Sequence, residues 1–318
     1  MNTILQLAKS YSKEKHKKIL PNISKNILDD FCFLYDENWE RKNSYPYEIL
    51  TYLFDSYYVL PERPDLASLF CWQALNNSYY SQQLSDNNIE RCTDTRGIQC
   101  IVNIIIKSWD IYGLILEPYL NKLPLKAFRY ISSYLLKGYL IKQQGISEKY
   151  AASAYKSLEK KVPCIKNILE SSYGKAYCKI AKPAVIDNKV NFGISDAQKE
   201  KSREITQSFA IKLKKLALGK EVELTLCDFQ EIKKKYKLTY EERLSLILFG
   251  ILYASRCNNF HGNVAARLNS INANIDTFKM YTDIFLLEYI LLAIHMNSQK
   301  MLSNYMLYKV SKNVDLML

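Results

Sequence analysis

The sequence predicts an all-α fold with an N-terminal helical domain, a short hairpin and a second helical domain, on three observations. Nine glycines and eight prolines in 318 residues are too few for an all-β chain that turns about every ten residues. Apolar residues recur at three- and four-residue spacing over long stretches, the period of a helix with one buried face. Two segments, Ser195-Asp-Ala-Gln198 and Thr239-Tyr-Glu-Glu242, match the capping box that opens a helix.

Along the chain, the spacing predicts helices over Ile101 to Leu116, Ala127 to Ile141 and Glu148 to Lys161, punctuated by Pro118, Pro124, Gly145 and Pro163. Pro183, the Asp187-Asn188 pair, alternating apolar residues and Gly193 then mark a hairpin or linker over 183–194. That stretch separates an N-terminal domain, 1–182, from a C-terminal domain, 195–318. The first capping box starts a helix running from about Asp196 to Leu218 and closed at Gly219. Val222, Leu224 and Leu226 alternate with polar residues, while Asp228 and Glu231 offer a helix cap before a lysine run, so this segment reads equally as strand or helix. From Tyr240 a helix apolar on almost every side leads towards Gly262, and Asp276 or Thr277 begins a last one. Helices without a polar face belong in the middle of a bundle or in a dimer interface.

The chain carries 44 Lys+Arg against 32 Asp+Glu, a net charge of +12. An acidic partner such as nucleic acid suits that balance, and so does a plain coding bias towards lysine. The eight cysteines form no C-x-x-C pair, so a structural zinc site is not expected, and no cofactor is implied. The apolar stretch near the N-terminus is too short for a signal peptide, which makes a cytoplasmic protein with reduced thiols the expectation. The longest apolar runs, Leu244 to Ala254 and Ile284 to Ile294, fall below the roughly 20 residues of a membrane span. Phosphate-binding loops, the G-x-S-x-G elbow, H-E-x-x-H and the dinucleotide fingerprint are all missing, so the sequence gives no support to ATPase, hydrolase, zinc-protease or dehydrogenase readings.

Three histidines stand in the chain, at 16, 261 and 295, so candidates for proton transfer near neutral pH are few. His261 follows Arg256 by five residues in Ser-Arg-Cys-Asn-Asn-Phe-His-Gly, where the apolar helix gives out. Positions five apart on a helix differ by about 140°, so the two side chains converge only if the helix ends between them. Asn258, Asn259 and Gly262 suit such an ending. A guanidinium to hold phosphate charge beside an imidazole to move protons suits RNA cleavage by a neighbouring ribose hydroxyl, without need of a metal. The plainer reading makes His261 a helix cap and Arg256 a structural cation paired with Asp283 or Glu288. His295, inside an apolar run, reads as a core histidine. Lys233, Lys234 and Lys235 are candidate RNA-phosphate contacts, although lysine-rich faces are commonly just solvated. Tyrosines near turns, Tyr45, Tyr47, Tyr57, Tyr58, Tyr79 and Tyr80, read mainly as core or boundary residues, with base stacking as the functional alternative.

The R-x-x-x-x-H motif at the end of an apolar helix, written here as RCNNFHGN with Leu252 and Tyr253 before it, resembles the signature of the HEPN superfamily. The likeness extends from about Ser195 to Leu318 and implies a four- or five-helix bundle. It departs at Cys257, where active members commonly carry Asn, Asp or His, and Asn258 and Asn259 follow as supporting residues. The resemblance implies a metal-independent endoribonuclease acting on single-stranded RNA through a composite homodimer site with Arg256 and His261 as catalytic residues. It further implies a role in antiphage defence or as a toxin, held in check by an antitoxin, a guide RNA or an infection-derived activator. Two alternatives from other classes are a non-catalytic RNA-binding or protein-interaction module and an RNA-guided effector.

Overall fold

The computed structural model describes residues 3–85, 93–228, 232–260, 268 and 273–317, with side chains for all of these except 3, 81–85 and 258–260. In chain order the helices begin with α1 (Thr3–Lys9), α2 (Lys13–Lys17), α3 (Glu37–Arg41), α4 (Tyr47–Val59), α5 (Pro64–Ser85), α6 (Asp94–Lys107) and α7 (Trp109–Lys122). There follow α8 (Leu125–Gln143), α9 (Ser153–Lys161), α10 (Pro163–Ser171), α11 (Tyr173–Cys178) and the hairpin of β1 (Ala184–Ile186) and β2 (Lys189–Asn191). The remainder is α12 (Asp196–Ala217), a second hairpin of β3 (Val222–Thr225) and β4 (Lys233–Tyr236), α13 (Tyr240–Ile247), α14 (Tyr253–Phe260), α15 (Ile275–Ser298) and α16 (Asn304–Ser311). The chain is thus mostly helical.

These elements form two compact units, Met1–Leu123 with Ser255–Leu318, and Pro124–Ala254. The stretch 183–194 taken from sequence as a divider lies inside the second unit, because α12, which follows it, packs on α8, which precedes it. Residues 195–318 accordingly contribute to both units. Periodicity marks helices and turns but carries no information on which helices share a core.

In the first unit, α5 is flanked by α4 and α15. Ser68 of α5 meets Glu288 of α15, and ten residues further on Ser78 meets His295, so the two helices run in the same sense. Every residue from Met280 to Met296 is buried. The apolarity that suited bundle or dimer interface equally is therefore consumed inside one chain. Asn274 caps α15 by accepting from Thr277 N at 3.0 Å. At its other end Lys300, with φ +60°, and Met301 return their N–H groups to Asn297 and Met296, the Schellman closure. The helix expected over Ile101 to Leu116 is instead two, α6 and α7, meeting at 113° around Ser108. Pro118 sits within α7 rather than ending it.

In the second unit, α8 and α12 bury Phe128, Ile131, Leu135, Phe209 and Leu213. Asp187 and Asn188 turn the first hairpin with φ +48° and +57°, the left-handed pair of a two-residue hairpin loop. The ambiguous segment is a strand: Val222 and Leu224 point inward, and Val222 pairs with Tyr236. The two capping boxes differ. Thr239 and Glu242 exchange both bonds, whereas the Ser195 hydroxyl goes to the Gln198 side chain and caps no backbone N–H. Gly219, φ +71°, closes α12 as its position suggests. Between α13 and α14 a π-helical turn, Leu248–Leu252, inserts an extra residue per turn and rotates the faces that follow. Gly250 in that turn lies where a Cβ would stand 3.1 Å from Leu158 and 3.2 Å from Ile131, so the turn packs tightly.

Among the described residues no single helix is long and apolar enough to cross a membrane.

Candidate active site around Arg256

Arg256 belongs to α14, just beyond the π-helical turn. The helix continues through Asn258 and Asn259 to Phe260, so the asparagines do not terminate it. Their backbone forms part of α14, and His261 lies outside the described residues. Arg256 is half-buried, and its Nη2 sits 3.0 Å from Asp94 Oδ2. Its Nη1 also approaches the Cys257 thiol at 3.9 Å, a long, weak contact.

Asp94 is the acid in the first turn of α6, capped by Thr93, whose hydroxyl oxygen accepts from Arg96 N. A carboxylate there also faces the positive end of the helix dipole. Its other oxygen, Oδ1, accepts from Asn76 Nδ2 at 2.7 Å and from the Tyr79 hydroxyl at 3.1 Å. Tyr79 can reach it because residue 97 is glycine: a Cβ built there would fall 2.2 Å from the Tyr79 ring. The ring lies flat on the first turn of α6 and its oxygen is carried to the carboxylate. Asn76 and Tyr79 lie on α5, three residues apart, and so share a face. Three helices, α5, α6 and α14, thus converge on one guanidinium, and its charge is compensated by a carboxylate that is itself held by two donors.

Of the two acids expected to partner Arg256 in the plainer reading, Asp283 and Glu288, the second is engaged elsewhere. Glu288 accepts from the Ser68 hydroxyl at 2.7 Å, and full burial pushes its carboxyl well above the usual range. Asp283 is completely buried on α15. His295 meets Ser78, and burial lowers its pKa to about 4, which leaves a neutral ring near pH 7. It is the core histidine the sequence suggests. Comparison of the chain with family models, with curated proteins and with solved structures found no match.

Lys233, Lys234 and Lys235 lie on β4 in the second unit. Lys233 pairs with Glu223 at 3.2 Å and Lys235 with Glu221 at 2.9 Å, while Lys234 lies over the Tyr236 ring. Such exposed pairs are weak and yield easily to a phosphate. The described residues contain no group of three or more His, Cys, Asp or Glu placed to hold a metal ion. The described cysteines form no disulfide.

The sequence points to Arg256 and not to Asp94, Asn76 or Gly97, and it offers Tyr79 only as one of several tyrosines near turns. The only local signal was Thr93-Asp94 as a helix start, which carries no hint of a partner more than 150 residues away.

Proposed function

We propose that the protein is a metal-independent endoribonuclease that cleaves single-stranded RNA, with Arg256 and His261 as its catalytic residues. The observation that carries this reading is the anchoring of Arg256: a half-buried guanidinium fixed on Asp94 one helical turn before residue 260. A fixed cation at that point is what the R-x-x-x-x-H motif requires, and the motif supplies the proton-transfer group. In the reaction the ribose 2′-hydroxyl gives its proton to a base and attacks the adjacent phosphorus. The bond to the 5′-oxygen breaks, that oxygen takes up a proton, and a cyclic phosphate remains. His261 moves the protons, and Arg256 holds the charge that grows on the phosphate oxygens. Two copies of the chain supply one composite site, and Asn258 and Asn259 support it. The setting is antiphage defence or a toxin system, with an antitoxin, a guide RNA or an infection-derived activator in control.

One observation favours a second reading. Arg256 is already ion-paired, as a structural cation would be, and Cys257 follows it in place of a polar residue. On that reading the chain is a non-catalytic RNA-binding or interaction module. Induced expression in cells separates the two. The ribonuclease arrests growth and fragments RNA when an activator is present, and His261→Ala abolishes both effects. Identical growth and RNA from wild type and His261→Ala under every inducing condition would overturn the ribonuclease.

A further inference from the structure

Two cavities in the first unit share Trp39 and Tyr45 as a common wall but differ in chemistry. One, of about 560 Å3, is walled by Phe33, Tyr35, Trp39, Tyr45, Phe54 and Tyr57. Phe54 remains 61% exposed and Tyr45 56% exposed, a concentration of bare aromatic surface that a monomer ordinarily covers. The other, of about 480 Å3, is lined by Lys42, Ser44, Asn297, Lys300 and Asn304.

The polar cavity has a fixed frame. Trp39 donates its indole N–H to Met301 O at 2.7 Å, and Asn297 donates to Leu302 O and Asn304 Oδ1, both at 2.9 Å. The Schellman closure of α15 sets Lys300 at the rim. The carboxylates nearby are occupied. Asp36 accepts from Asn38 N and from Ser303 N, and Glu40, the one acid lining the aromatic cavity, accepts from the Tyr35 hydroxyl. Lys42 and Lys300 are exposed and form no ion pair among the described residues. The joint surface therefore offers flat rings on one side and two ammonium groups on the other.

We propose that the paired cavities bind single-stranded RNA, a base stacking among the rings around Phe54 and Tyr45 while the adjoining phosphate meets Lys42 and Lys300. Stacking needs an unpaired base, and the ammoniums need a polyanion, so an apolar peptide or a helix from a second copy satisfies only half of the surface. The net charge of +12 draws the strand in. This site rests on the ribonuclease reading for the kind of strand, and it supplies that reading with a place where substrate is held outside the chemistry.

The test is fluorescence anisotropy with a labelled oligouridylate of about twelve nucleotides, long enough for a stacking site and its flanks. The protein is the full chain carrying His261→Ala, and cleavage is followed separately in the His261 form. Phe54→Ala and Tyr45→Ala should each weaken binding about fivefold or more. Lys42→Gln should weaken it and reduce the salt dependence by about one counterion. Tyr58→Ala, which removes a ring 84% exposed on α4 that lines neither cavity, should leave affinity within about twofold. Because Phe54 and Tyr45 are mostly exposed, their variants are expected to fold, as far-UV circular dichroism will show. Equal losses from Tyr58→Ala and Phe54→Ala, or no RNA binding, would overturn the site. Cleavage with affinity unchanged in the cavity variants would sink the site and spare the ribonuclease. RNA held through Phe54 and Tyr45 by a protein that never cleaves would do the reverse.

Discussion

The position most exposed to test is Gly97, because one of the two donors that hold Asp94 beside Arg256, the Tyr79 hydroxyl, reaches it only by lying close against that glycine. Replacing it by alanine places a carbon 2.2 Å from the Tyr79 ring, against an ordinary carbon–carbon contact of about 3.5–4.0 Å. The ring must withdraw by more than about 1 Å, in a neighbourhood where Tyr79 is only 2% exposed. Overpacking of this size costs about 1–3 kcal/mol. The hydroxyl leaves Asp94 as well, and a hydrogen bond to a charged group is worth about 1.5–3 kcal/mol. Against these stands a gain of about 1 kcal/mol from alanine over glycine in a helix. The net expectation is destabilisation by about 3 kcal/mol in urea melts. In the Tyr79→Ala background the obstacle is gone, and the same Gly97→Ala change should stabilise by up to about 1 kcal/mol. The cycle therefore predicts a coupling of about 4 kcal/mol. A coupling near zero, or a stabilising Gly97→Ala in the wild-type chain, would refute the placement of Tyr79 and with it the support of Asp94.

Asp94→Asn removes the charge that fixes Arg256 in a half-buried setting, and should destabilise by about 1–2 kcal/mol in the same melts. On the ribonuclease reading it should also slow cleavage tenfold or more, with RNA affinity within about twofold. Burial fixes the sign of two pH effects. His295 titrates near 6.5 unfolded and about 4 folded, so its contribution is complete above pH 6.5 and is lost as pH falls towards 4, by about 3 kcal/mol. His295→Asn should flatten that acid limb, and an unchanged limb would contradict the burial. Glu288 acts oppositely, because its raised folded pKa makes stability decline as pH rises above about 4.5. Glu288→Gln should match wild type at low pH and surpass it increasingly at high pH; a constant difference would contradict this. Thr239→Ala should cost about 1 kcal/mol by removing a backbone cap, and Ser195→Ala distinctly less. Equal losses from the two would mean that Ser195 also caps its helix.

Elements with a purely local cause were legible in the sequence. Thr239 with Glu242, Gly219 after α12 and the Asp187-Asn188 turn act over a few residues, and each stands where its chemistry puts it. Ser195 shows the limit of that reasoning, since its hydroxyl finds the Gln198 side chain instead of a backbone donor. The break at Ser108 was hidden because apolar spacing runs through it on both sides. The all-round apolarity of α15 indicated burial but not by what, and the answer, α5, lies some two hundred residues away. The same holds at the site. Arg256 was visible through its motif, whereas Asp94, Asn76 and Tyr79 are joined to it only by the packing of α5 and α6. Acids on the neighbouring long helix were the natural partners to expect, but Glu288 faces Ser68. Lys233 and Lys235 read as a basic run in sequence, and the hairpin sets both beside glutamates.

On the proposed function, Arg256 and His261 cut RNA with the ribose 2′-hydroxyl as the nucleophile. Labelled total RNA, incubated in EDTA with purified protein at equal concentrations of wild type, Arg256→Ala and His261→Ala, tests it most directly. Wild type in the activated state should leave fragments with cyclic-phosphate ends, and neither variant should leave any. Fragments of the same yield and end chemistry from His261→Ala, or RNA left intact by the activated wild-type protein, would contradict it.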